Sequence, residues 1–463
     1  MKKMLLLVAA FLAAEAGAFA QTELSSFSVA GRGGVMNTFV TDYQALGVNP
    51  ANLGRNTSIV SFSLAEFGAG ASSQALTKDT FRKFANFSES QDLSTQDKIE
   101  LAKAFTSNNV LNANADINTF AISVNLPKIG GFAFSNRQRV LGHVGFNKNF
   151  SELIFLGDQA SIYDEVKPRQ TVYVSEIFDG TEMKASWVNE WNLAYGRKVI
   201  DLPLFNVYAG VGYKYLQGLA LFEFSSIDGE VKAYNASSPV LNIDYQEYIN
   251  NPNFNYKTAD GLLSPVGRGH GVDVGLSAEI AKIVKVSASV TDIGKMTWTE
   301  NLLQGQDNGF ELPETEEEAE DYESTIELAE TIIDSALVFS PISELRTDLP
   351  TRLRTGVGIK LGNKVQVGVD YVKPLNKAPG NITQDFIGLG VDVMPIPFFR
   401  LSSGVTSGAG DKVNLPFGIA IVTPFYEFGI STRDVTAPFT KNNPGASFAM
   451  GFLRFKIGKP QVL

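Results

Sequence analysis

The sequence predicts an all-β membrane protein: a transmembrane β-barrel of about fourteen antiparallel strands. Three observations lead there. Hydropathy alternates with period two over stretches of roughly ten residues. The connections between those stretches alternate in kind, long and then short. After the first twenty residues no stretch of about eighteen apolar residues occurs, so any membrane insertion has to be by strands.

The chain opens with Lys2 and Lys3, an apolar run over 4–14, and Ala18, Phe19 and Ala20 before Gln21. A positive start, a short apolar stretch and an A-x-A site predict a secretory signal over 1–20, cut after Ala20. The chain has no Cys, which excludes a lipoprotein anchor and disulfides. A barrel closed by backbone hydrogen bonds needs neither. Its formal net charge of −10 at pH 7 offers nothing basic enough for a nucleic-acid partner.

Strands are expected at 58–68, 116–126, 130–144, 184–198, 205–224, 269–280, 284–298, 351–362, 364–374, 384–394, 397–405, 413–422, 425–433 and 445–458. In the first, Val60, Phe62 and Leu64 share one face, with Ser61 and Ser63 opposite. In the fifth, Val207, Ala209, Val211, Tyr213 and Tyr215 face away from Gly210, Gly212 and Lys214. The last strand changes parity between Phe452 and Leu453, which predicts a bulge near Phe452. Long segments follow the first, third, fifth and seventh strands, at 69–115, 145–183, 225–268 and 299–350. Turns such as PKIG, AKI and GN close the other side. This is the layout of an outer-membrane barrel, with long extracellular loops and short periplasmic turns, and its strand number is even. Trp187, Trp191, Tyr195, Tyr213, Tyr215, Trp298, Tyr371, Phe398, Phe399, Tyr426 and Phe452 fall where interface girdles sit.

Two loops carry helical patterns. Over 93–108, Ser94 is a candidate N-cap, with Ile99, Ala102 and Phe105 forming a stripe. Over 310–338 runs an acidic segment without Lys or Arg, with a helix expected from about Thr315.

Catalytic and metal chemistry find no support. His143 and His270 are the only histidines, and neither stands at metal spacing from another ligand. No serine pairs with His143 by any recognisable pattern. GIKLGNK (358–364) and GRGG (31–34) lack the surroundings of a phosphate or dinucleotide loop. The reading is therefore of a protein without enzymatic activity, cofactor or metal.

The inward parity carries charge of both signs: Arg137, Arg139, Glu190, Lys214, Asp273, Glu279, Lys285, Arg352, Arg354, Lys360, Asp370, Asp392, Arg400 and Glu427. Mixed signs point to cross-barrel ion pairs in a narrow or plugged interior rather than to an ion-selecting ring. Solvation by trapped water is the plain alternative. Inward glycines, among them Gly210, Gly275, Gly356, Gly358, Gly388 and Gly390, leave room for a plug.

Residues 28–54 read SVAGRGGVMNTFVTDYQALGVNPANLG. Gly31, Gly33 and Gly34, then Asp42, then Asn49, Pro50, Ala51 and Asn52 resemble the N-terminal segment of the FadL-like outer-membrane transporters of fatty acids and hydrocarbons. The related barrel of type IX secretion shares it. The resemblance implies that residues 21–57 form a plug or hatch inside a fourteen-strand barrel. Pro50 is expected to hold Asn49 extended, with Asn49, Asn52 and Gly54 reversing the chain at the periplasmic lip. SVTDIGKMTW (289–298) and LPTRLRTGVGIKL (349–361) give a closer likeness, to uncharacterised outer-membrane barrels of Bacteroidetes-type bacteria. One departure stands out: FadL-like transporters capture ligand with apolar loop helices, whereas the largest insert here is acidic.

The function implied is passive transport of small hydrophobic molecules through a plugged barrel in the outer membrane. The partners implied are membrane lipid, lipopolysaccharide and hydrophobic small molecules. The alternative is a non-conducting scaffold, or a secretion-machinery barrel, that binds protein partners through its extracellular loops.

Overall fold

A computed structural model describes residues 26–458 apart from 56–57, 74–76, 78, 81, 84–92, 107–109, 168–169, 313–331, 333–334, 383, 410 and 438–444. The expected signal at 1–20 and the helix expected from Thr315 lie outside the described residues.

Fourteen strands form the wall: β1 Ser58–Ser73, β2 Leu111–Leu126, β3 Gly130–Gly145, β4 Thr181–Asp201, β5 Phe205–Ile227, β6 Gly267–Ile280, β7 Val284–Trp298, β8 Arg352–Leu361, β9 Val365–Pro374, β10 Phe386–Ile396, β11 Phe399–Gly408, β12 Phe417–Val422, β13 Tyr426–Thr432 and β14 Gly445–Gly458. Each pairs antiparallel with the next, and β14 pairs with β1 through Ser58–Gly458 to Ser72–Gly445, so the sheet closes. Closure leaves no open edge of unpaired N–H and C=O groups.

Which face is buried decides between a soluble sheet and a membrane wall. Along β6, Val272, Val274 and Leu276 are 38%, 42% and 58% exposed, while Asp273 and Ser277 between and beside them are buried. The apolar face looks out and the polar face looks in, the reverse of a soluble sandwich. The same inversion runs through Ile387 and Leu389 on β10 and Val357 and Ile359 on β8.

Short turns close one end. Between β6 and β7, Ala281 and Lys282 both take positive φ (51° and 58°), the primed geometry that matches strand twist. Ile283 N–H returns to the Ile280 carbonyl at 3.0 Å. The wall height is uneven, since β5 runs 23 residues and β12 only 6.

The long loops pack together at the other end. Helix α1, Thr95–Ala104, starts on Ser94, whose side chain accepts the Asp97 N–H. Lys83 donates to Asp97, Glu100 and Asp79, and these bonds, that from Asp97 first, raise its pKa above the ordinary value. Helix α2, Lys148–Leu156, is capped by Asn147. Its apolar run, missing from the sequence-based expectation, buries Phe150, Leu153 and Phe155 against Leu101, Phe105 and Phe178. An apolar loop helix is therefore present in 145–183, besides the modest one expected in 78–106. Substituting Ser94→Ala is expected to loosen α1 by about 1 kcal/mol without touching the barrel. Faster hydrogen exchange confined to α1 would show this; unchanged exchange would contradict it.

One expected girdle aromatic does not belong to the girdle. Trp298 is only 2% exposed and packs inside the loop end against Leu216, Met296, Leu302 and Leu349. A bulge at Asp292 (φ 58°) resets the parity of β7 before Trp298 is reached.

Candidate functional site: the lumen and its N-terminal segment

Residues 26–55 lie within the barrel, and the inward glycines let them approach the wall. A Cβ on Gly210 would collide with Pro50 and Ala51, and one on Gly275 would overlap Asn49. Around the circumference the same close approach recurs, with Gly131 at Leu53, Gly358 at Thr38, Gly390 at Val35, Gly418 at Gly31 and Gly451 at Phe27. Read backward from residue 53, the segment therefore follows the inner wall from β3 round to β14. Gly33 and Gly34 take positive φ (65° and 94°) after the helical turn Phe27–Ala30, where side chains are disfavoured.

The Asn-Pro-Ala-Asn motif runs into a short helix near the short-turn end, with Leu53 against Gly131 beside the β2–β3 turn. Pro50 opens a 3₁₀ helix, Pro50–Arg55, docked inside the lumen on β3 to β6. Pro suits a first helical position because its missing N–H would have no partner there. Asn49 Oδ1 accepts the Ala51 N–H at 3.0 Å. Its Nδ2 points to the carbonyls of Leu276 on β6 (3.1 Å) and Ala288 on β7 (3.2 Å) and to Asn37 Oδ1 (3.2 Å). Asn52 Nδ2 donates to the Asn37 carbonyl at 2.7 Å. Asn49, Ala51 and Asn52 are fully buried. Asparagine supplies donor and acceptor together, which a buried turn requires.

The lumen charges form local clusters, not bridges across the barrel. On adjacent strands β3 and β4, Glu190 receives Arg137 and Arg139, each at 3.0 Å. On β5 to β7, Lys214 sits 3.2 Å from Asp273 and 2.6 Å from Asp292. A third cluster ties wall to segment: Arg454 reaches Asp42 at 2.7 Å and Glu427 at 3.2 Å, and Lys456 reaches Glu427 at 2.9 Å. Arg400 also pairs with Glu427. Arg32 meets Asp392 at 2.6 Å, and Asp370 accepts the N–H groups of Met36 and Asn37, both at 2.7 Å. Arg354 is buried one inward position from Asp370. Glu279 is half-buried and accepts from Tyr208. Arg352 instead anchors the β9–β10 loop, donating to Asn381 Oδ1 at 2.9 Å and the Gly380 carbonyl at 2.7 Å.

Among the buried lumen charges that escaped the parity argument are Glu66, Asp116, Asp292, Arg454 and Lys456. These lie beside irregular positions, namely Ala65 with φ 52°, the register shift between Asn118 and Phe120, Asp292 itself, and the extra residue at Phe452–Leu453. At that last site Phe452 and Leu453 both face out, at 45% and 43% exposure. The change of parity there was the only one of these signals visible in the sequence.

Above the segment, at the loop end, a cavity of about 630 Å³ lies between the ends of β3 to β5 and the loop 374–382. Here His143 Nδ1 meets Asn112 Oδ1 at 2.7 Å and Nε2 faces Glu182 at 3.6 Å. On the opposite, outward face of the same strands a second cavity of about 280 Å³ is lined by Leu111, Ala113, Val140, Met183, Trp187 and Phe222, and by Leu241 and Ile243 of the loop after β5.

The model of a family of unknown function, DUF5723, matches residues 50–431. The chain belongs to this family. No curated protein matches the DUF5723 chain. Among solved structures it is similar to the toluene transporter TbuX of Ralstonia pickettii, with 11% identity, 96% of this chain and 99% of that chain covered, and a TM-score of 0.46. It is also similar to the toluene transporter TodX of Pseudomonas putida, with 12% identity, 95% and 99% covered, and a TM-score of 0.44. A FadL homologue of Pseudomonas aeruginosa aligns at 12% identity over 95% and 98%, with a TM-score of 0.44.

Proposed function

We propose that this DUF5723 barrel sits in the outer membrane, loop end outward, and takes up small hydrophobic molecules passively, with residues 26–55 as the plug that gates the lumen. The apolar cavity of about 280 Å³ carries the reading. Its lining is hydrophobic and aromatic, and it lies at the loop end, where a ligand arriving from outside would first meet the wall. The plug would supply the gate, held to the glycine-lined wall by close backbone contacts and by the Arg32–Asp392 and Asp42–Arg454 pairs. Any lateral exit has its shortest ladders around β12 and β13, where five residue pairs join β11 to β12, six join β12 to β13 and five join β13 to β14. The β2–β3 and β3–β4 ladders, by contrast, run almost the full strand length.

Ala185 faces the apolar cavity, and Ala185→Phe fills it. Uptake of labelled small aromatic and aliphatic compounds by cells is expected to fall about tenfold, roughly the cost of losing one good apolar site. Uptake equal in wild type, the variant and a deletion strain would refute the reading.

A second reading, a non-conducting scaffold that binds proteins through its loops, is favoured by the shared apolar core of the loops, in which Phe150, Phe178 and Phe310 are buried together. Pull-downs with and without residues 310–338 separate the two, since a pure transporter retains no partner that depends on that insert.

A further inference from the structure

At the short-turn end, below the plug, lies a third cavity of about 430 Å³. Nine Lys and Arg side chains line it against two carboxylates, Glu279 and Asp392. Several of these cations are already neutralised: Arg32 by Asp392, Arg454 by Asp42, Lys456 by Glu427 and Lys198 by Asp201. Arg55, Lys285 and Lys360 are different. None has a carboxylate within ion-pair distance among the described residues.

Their placement is set by the fold. Arg55 ends the 3₁₀ helix of the plug, and its Nη2 donates to the carbonyls of Thr38 and Val40 at 3.2 and 3.4 Å. Its Nε and Nη1 are buried and have no partner. Lys285 stands on β7 opposite Gly358, and Lys360 is the next inward residue along β8. Glu279, opposite Lys285 on β6, is the one carboxylate among them. Three cations gathered around one carboxylate repel one another, and inside a protein that repulsion is several-fold stronger than in water. A bound counter-anion relieves it, and a guanidinium beside two ammonium groups matches the oxygens of a carboxylate or phosphate.

We propose that this cavity is an oxyanion site: it binds a small, multiply charged solute bearing carboxylate or phosphate groups, entering from the short-turn side of the barrel. The site is separate from the apolar cavity and does not depend on hydrophobic uptake.

The test uses the purified full chain in detergent, with thermal unfolding followed at constant ionic strength against citrate and, separately, pyrophosphate. A saturable upward shift with citrate alone identifies a carboxylate solute, with pyrophosphate alone a phosphate one, and with both a general oxyanion site. In the Lys285→Gln, Lys360→Gln double variant the half-saturating concentration is expected to rise about tenfold or more. Lys295→Gln, which changes an exposed side chain on β7, should leave it unchanged. Heat-modifiable gel mobility reports whether the double variant folds; if it does not, Lys285→Arg with Lys360→Arg must fold and retain binding. No saturable shift with either anion, or a shift that survives in the folded double variant, overturns the proposal. Ala185→Phe should leave anion binding intact, so failure here and failure of hydrophobic uptake are read separately.

Discussion

Replacing Arg454 by alanine is expected to destabilise the folded barrel by about 3–5 kcal/mol, the range seen when one partner of a buried ion pair is removed. Arg454 is 2% exposed and joins Asp42 of the plug, Glu427 of β13 and the ring of Tyr43, whose centroid lies 5.3 Å from its guanidinium carbon. After the substitution Glu427 keeps Arg400 and Lys456, but Asp42 is left with Lys456 alone, at 4.0 Å. Urea unfolding in lipid vesicles, followed by tryptophan fluorescence, measures the loss. Arg139→Ala is the internal control, because its partner Glu190 retains Arg137 at 3.0 Å and should lose less. Equal losses in the two variants would mean that the cluster binding plug to wall has no special weight.

Removing residues 21–48 is expected to convert a closed barrel into a conducting one, with single-channel conductance in planar bilayers rising about tenfold or more, because a barrel of this size has room for an aqueous lumen once its contents are gone. The deletion removes Arg32 from Asp392, Asp42 from Arg454, and the two N–H groups that Asp370 accepts. Those wall charges would then be hydrated, which lowers the cost of the change. Gly210→Leu should act in the same direction without shortening the chain, since its side chain needs the space held by Pro50. A deletion variant as silent as the full chain would show that something other than the plug closes the lumen.

The barrel was legible in the sequence because a wall between lipid and a polar interior imposes one rule on every strand. All fourteen expected strands are present, with ends displaced by no more than five residues. Lys214, Asp273 and Glu190, inward by that parity, are buried. The rule fails where a strand carries one residue too many. Asp292 and Glu66 then turn inward against their apparent parity, and Trp298 leaves the girdle for the interior. A single positive φ at Asp292 or Ala65 leaves no mark in composition, so pattern reading passes over it.

The loops were less legible for another reason. Phe150, Leu153 and Ile154 lie at helical spacing, but only contacts with Leu101, Phe105 and Phe178 from other segments make α2 a core element. A stretch of nine residues has little helical stability by itself.

Alternation, loop spacing and the Asn-Pro-Ala motif in the sequence by itself determined a closed antiparallel barrel with polar residues inward and apolar ones toward lipid, because those patterns depend only on near neighbours in the chain. Which carboxylate each cation meets was decided by the tertiary structure alone. Arg454 finds Asp42 across more than four hundred residues, Asn49 finds two strand carbonyls, and Arg55, Lys285 and Lys360 converge with no carboxylate at ion-pair distance among the described residues. Those pairings depend on how far the wall has turned by the time each strand returns, a quantity that bulges alter and that local sequence does not carry.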